Sequence, residues 1–144
     1  MSRESRRFAG VLLVVLPTVV FGGVSLLSLL ITDPAYKANP LRQDLWRAGH
    51  AHAGVMLVLA LVMLRYVDEA RLSPGWKWVA RLAAPTAAIL LPLAFFFSVL
   101  TPDATTPNGF IYLAYVGAVV LSLGLIVLGV GLLRTTNDGM TTDE

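Results

Sequence analysis

The sequence predicts an all-α transmembrane protein: a four-helix bundle with both termini cytoplasmic. Three observations carry this. First, 56% of the 144 residues are hydrophobic and only 14% are charged, where soluble domains hold about 25% charged residues. Second, the charges cluster between four apolar segments, and the first of these runs 24 residues, Phe8 to Ile31, without a charge. A helix needs about 20 such residues to cross the hydrocarbon layer. Third, Asn39-Pro40, Ser73-Pro74 and Thr106-Pro107 stand ahead of the other three segments. Such pairs start helices, because the polar side chain accepts a free backbone N–H and proline has none to lose. The length suits a single domain, 1–144, with helices over about 8–31, 40–67, 74–100 and 107–134.

The first helix follows a basic lead holding Arg3, Arg6 and Arg7. A signal peptide also begins basic and then apolar, but its apolar core is about 7–15 residues and ends at small residues. Here the run is longer and ends Leu29-Leu30-Ile31-Thr32, so a retained span is expected. Pro17 should kink or loosen it. Thr18, Gly22 and Ser25 recur on one face, and small residues there let a neighbouring helix approach.

The second helix should begin near Pro40, ahead of its apolar core. Arg42, Gln43, Asp44, Trp46 and Arg47 then lie in the headgroup layer, and the uncharged run is the 17 residues Ala48 to Leu64. The third helix starts after Ser73-Pro74 and carries Lys77 and Arg81 early, then Pro85 and Pro92. Prolines inside a span are tolerated where neighbours re-satisfy the freed carbonyls. In the fourth, Gly117, Gly124 and Gly131 recur every seven residues, which keeps one smooth stripe on a helix-packing seam. The tail after Arg134 is polar and expected to be disordered.

Orientation follows from Lys and Arg counts in the connections. One side has eight (Arg3, Arg6, Arg7, Arg65, Arg71, Lys77, Arg81, Arg134) and the other three (Lys37, Arg42, Arg47). The eight should face the cytoplasm, with the chain in the plasma (bacterial inner) membrane. All three tryptophans fall at helix ends, as interface anchors do.

Several function classes are excluded or disfavoured. With no cysteine there is no disulfide, thiolate metal site or Cys nucleophile. A net charge of +2 is too small and dispersed for a nucleic-acid binder. No serine-protease triad, Walker loop or dinucleotide fingerprint is present, so no catalytic residue is assigned. No Asp, Glu, Lys or Arg lies deep in the apolar runs, whereas a proton-coupled transporter usually needs such a group.

The chemistry therefore centres on Gly49-His50-Ala51-His52-Ala53-Gly54, which holds the only two histidines. Histidine is the commonest metal ligand and a proton shuttle. At i, i+2 on a helix the two rings point about 200° apart, so they cannot share one ion. His52 with Met56, four residues on, is a possible nitrogen–thioether pair of the kind copper or haem iron accepts. Otherwise the histidines are interfacial hydrogen-bonding groups and Met56 is ordinary filling. On this geometry His52 faces inward and His50 is a rim residue. At the outer rim, Arg47 with an acid could fix loop geometry or bind an anionic headgroup or a quinone head.

The Gly49 to Gly54 stretch, opening an apolar helix, resembles the His-x-His helix starts of uncharacterised small bacterial four-helix integral membrane proteins. Over these six residues it is also similar to the haem-ligating helices of haem–copper oxidase core subunits, which have more helices and more histidines. The resemblance implies cofactor binding at His50, His52 and Met56, with haem or copper as candidates and the metal itself unassigned. A haem could sit between two protomers. The expected function is a non-enzymatic integral membrane protein binding haem, a metal or a partner at an extracytoplasmic histidine site. The alternatives are a small-solute transporter or channel subunit, and a structural accessory subunit of a membrane complex recruited through the Gly117/Gly124/Gly131 seam. Expected partners are the lipid bilayer and either a homo-oligomer or a larger complex.

Overall fold

In the computed structural model, which describes residues 1–134, the described chain is helical without strands. Helix α1 is Arg3–Thr32, α2 is Pro34–Ala38, α3 is Pro40–Tyr66, α4 is Pro74–Phe97 and α5 is Leu113–Leu133, the last entered through a 3-10 turn at Gly109–Tyr112. Four helical stretches, α1, α3, α4 and the turn with α5, are long and apolar enough to cross a membrane.

Local chemistry explains the boundaries. α1 starts five residues earlier than the apolar run, because the Ser2 hydroxyl caps it by accepting from the Ser5 N–H at 3.1 Å. It continues unbroken through Pro17. The connection that follows is partly helical, contrary to expectation. Asp33 accepts from the N–H groups of Ala35 and Tyr36, Pro34 occupies the first helical position, and the single turn of α2 forms. Asn39 caps α3 through Arg42 N–H at 3.0 Å. Ser73 precedes α4 but makes no capping bond. α4 ends at Phe97, three residues short of the expected 100. Thr106-Pro107 does not open the last helix; Asn108 caps the 3-10 turn through Phe110 N–H at 2.9 Å. The tail expected to be disordered lies outside the described residues.

α4 is the centre of the assembly, with α3 on one side and α5 on the other, while α1 leans mainly on α3. Small residues make the centre possible. Ala80, Ala83, Ala84, Ala87 and Ala94 of α4 are all buried, so α3 and α5 approach it closely. Leu57, Ala60, Met63 and Leu64 of α3 and Leu128 of α5 complete the main core. α1 is different: only Ser5 and Leu12 are buried along its 30 residues.

Each end of the bundle is closed by polar bonds. At one end Arg81 is buried, donating to Asp68 Oδ1 at 2.6 Å and to Ser5 Oγ at 3.2 Å, while Ser2 N–H donates to Asp68 Oδ2 at 2.6 Å. The Arg71 N–H donates to the Gly131 carbonyl there as well, at 3.0 Å. The start of α1 and the end of α5 thus share one end with the α3–α4 connection. At the other end lie α2 and residues 98–109, joined by Asn39 Nδ2 donating to the carbonyls of Pro102 and Ala104.

Candidate functional site

The two histidines of α3 face different neighbours. The His50 ring lies across a notch in α1 made by Gly22 and Gly23. A Cβ at Gly23 would come 2.9 Å from His50 Nε2, and one at Gly22 would come 3.7 Å from Nδ1. At Gly23 a side chain would displace the ring, whereas the contact at Gly22 is an ordinary van der Waals one. His50 is half-buried, because α1 packs on the side of α3 that carries it. Gly54, one turn on, continues this contact, its would-be Cβ 3.6 Å from Val19.

His52 turns the other way, to α4. Its ring centroid lies 5.1 Å from that of Phe95. Its Nδ1 is 2.7 Å from the carbonyl of Ala48. A carbonyl only accepts, so Nδ1 carries the proton and Nε2 holds the free lone pair in the neutral ring. Met56 is buried on the same side with Ala87 and Leu91 of α4, within the apolar α3–α4 contact.

The pair therefore presents two sites, each with one imidazole. Among the described residues no group of three His, Asp or Glu side chains could hold a metal ion. A chelate using both histidines does not fit, since one ring meets α1 and the other α4. His52 has one nitrogen committed to its own helix, and Met56 is packed as filling.

Beside His50 is an apolar groove of about 420 Å3, lined with it by Val19, Ala51, Gly54, Val55 and Val58. No hydrogen-bond partner reaches the His50 ring among the described residues. No buried side-chain nitrogen or oxygen among the described residues lacks a partner, so the unpaired nitrogens of His50 are accessible, and the groove offers one open hydrogen-bonding position.

The other expected residues have structural tasks. The Ser25 hydroxyl donates to Phe21 O and that of Thr18 to Val15 O, so both are spent on their own helix. Arg47 is exposed, donates to Gln43 of its own helix and pairs with Asp44 at 3.7 Å. Gly117, Gly124 and Gly131 meet Leu91, Ala83 and Leu72 of this same chain. The seam is consumed internally and is not an outward recruiting face, because Gly117 and Gly124 pack on α4 and Gly131 on the connection that leads into it.

Sequence reasoning missed that two arginines are buried: Arg42, assigned to the headgroup layer, and Arg81, placed in the first turns of the third helix. Arg42 donates to the carbonyls of Val99 and Leu100, each at 3.1 Å, with its guanidinium 4.2 Å from the Trp46 ring. Trp46 Nε1 donates to Phe96 O, and Asn108 Nδ2 to Phe97 O. These bonds satisfy carbonyls left over at the end of α4. Arg81 anchors the Ser2–Ser5–Asp68 cluster. Burial raises the Asp68 carboxyl, but bonds from Ser2 N–H, Arg81 and Ser5 outweigh it and hold the group at about 2. A clue existed in the sequence: Arg81 sits among Ala80, Ala83 and Ala84, where a long side chain has room to lie inward.

No family model, no curated protein and no solved structure matches the chain.

Proposed function

We propose that the protein is a multi-pass integral membrane protein of the plasma membrane, with both termini cytoplasmic. It acts without catalysis, by binding a membrane-soluble ligand at His50. The carrying observation is the unpartnered imidazole seated against Gly22 and Gly23 beside an apolar groove. The apolar walls suit a ligand drawn from the bilayer, and the ring supplies one polar contact that orients it. The excess of Lys and Arg at the end holding Arg3, Arg65 and Arg71 supports the orientation. His50 then lies toward the extracytoplasmic surface.

One imidazole suits a hydrogen-bonding ligand or a single axial bond to haem iron; a second axial ligand would come from another copy of the chain. Purification in mild detergent, followed by an absorption spectrum, metal analysis and mass spectrometry of solvent-extracted ligands, tests this. A Soret band or an extracted organic ligand, lost on His50→Ala and kept on His52→Ala, is the expected pattern. A preparation whose contents are the same in wild type and His50→Ala would remove the His50 site.

A further inference from the structure

On the other side of the α1–α3 contact lies a second hollow of about 390 Å3. It runs from Phe8 to Val19 on α1, past Ala53 and Leu57 of α3, and along α4 from Pro85 to Pro92. We propose that this hollow holds one acyl chain of an anionic phospholipid, whose phosphate is bound by Arg3 and Arg7. The proposal rests on the membrane-spanning reading above but not on the His50 site.

Three observations carry it. The first is length. Phe8 to Thr18 advances about 15 Å along a helix, half of the roughly 30 Å hydrocarbon thickness. The uncharged run of α1 is 8–31, so the hollow begins at the headgroup boundary and ends near the midplane. It is one leaflet deep.

The second is charge. Arg3, Arg7, Val11, Val15 and Thr18 follow one another at steps of four and three, so they form one row on α1. Val11, Val15 and Thr18 line the hollow, and Arg7 and Arg3 lie one and two turns beyond Val11 on this row, which slants round the helix. Both are exposed, and neither makes an ion pair among the described residues. Glu4 stands in line with Phe8, Val11 and Val15 at i+4, i+7 and i+11, and against this one acid Arg3 and Arg7 leave the mouth with a net positive charge. A phosphate above the mouth would answer the two guanidinium groups.

The third is lining. Only Thr18 brings a polar side chain to the hollow, and its hydroxyl is already bonded to Val15 O at 2.7 Å. A hydrocarbon chain loses nothing by entering, and α1 buries too little against the other helices to close the space itself.

The test uses the full chain purified in mild detergent and examined by native mass spectrometry, with phosphatidylglycerol and phosphatidylcholine as added probes. One phosphatidylglycerol per chain is expected, held in preference to phosphatidylcholine. Arg3→Gln with Arg7→Gln should reduce that preference by roughly fivefold to 30-fold while leaving a chain in the hollow. Ala88→Leu, and Val15→Trp from the more exposed side, should displace both lipids. Retention of both lipids by these filled variants, or an unchanged preference in the double Arg variant, overturns the proposal. So does dimer formation through a Val15→Cys disulfide in lipid-free protein, which assigns the hollow to a second copy. Carbonate extraction separates the two readings: release of the chain from native membranes removes the membrane reading itself. A chain that stays in the pellet but binds no lipid removes only this proposal.

Discussion

The methyl group of Ala83 on α4 fills the place where a side chain at Gly124 on α5 would begin, since a Cβ at Gly124 would lie 2.1 Å from the Ala83 Cβ. Two helices can touch in this way only if one position is glycine. We predict that Gly124→Ala destabilises the protein by about 1–3 kcal/mol through overpacking. Ala83→Gly placed in the same chain should recover much of the loss, because it reopens the same space. Thermal unfolding of the single and double variants in detergent measures this; strictly additive losses would show that the contact is not the cause.

Asp68 gives the fold a defined acid sensitivity. Its carboxyl is held at about 2 in the folded protein against an ordinary value of 3.8. A depressed carboxylate contributes stability that is fully present above 3.8 and is lost as pH falls through about 2. The shift corresponds to about 2 kcal/mol at neutral pH. Unfolding midpoints should therefore fall between pH 4 and 2, and Asp68→Asn should flatten that fall. The same variant leaves Arg81 buried without its counter-charge, at a cost of about 3 kcal/mol at pH 7. An Asp68→Asn protein with wild-type pH dependence in this window would contradict the assignment.

Arg42 holds the turn after α4 by donating to Val99 O and Leu100 O. Arg42→Ala should cost about 2–3 kcal/mol, the range for bonds from charged groups that leave buried acceptors unpaired. Arg42→Lys should restore little, because an ammonium lacks the planar fork that meets two carbonyls while lying on Trp46. Hydrogen exchange of amides in residues 98–109 reports the effect locally; protection equal to wild type in Arg42→Ala would refute it.

His50 and His52 act on separate interfaces, so their losses should add. The coupling in a double-alanine cycle should stay below about 0.5 kcal/mol, in stability and in any copper or nickel binding. Strong non-additivity, with binding abolished equally by either single change, would mean that both rings reach one ion.

Much of the fold was legible because it rests on local chemistry. The four apolar stretches depend on run length, and the start of α3 at Asn39-Pro40 depends on a cap and a proline within one turn. Boundaries went astray where a bond from elsewhere decided them. α4 stops at Phe97, where Trp46 and Asn108 take up its terminal carbonyls. The inward turn of Arg42 and Arg81 was hidden for the same reason: their acceptors lie 57 and 76 residues away in the chain.

By itself the sequence determined that this chain forms four long apolar helices, and that its two imidazoles leave α3 in nearly opposite directions, because helical periodicity is a property of neighbouring residues. Only the tertiary structure decided what each imidazole meets. His50 lies on Gly22 and Gly23 of α1, and His52 faces Phe95 of α4. It also decided that Gly117, Gly124 and Gly131 are sealed within the chain. Periodicity says which residues share a face of a helix; which helix covers that face depends on how closely small residues let two backbones approach, and that is a property of the pair.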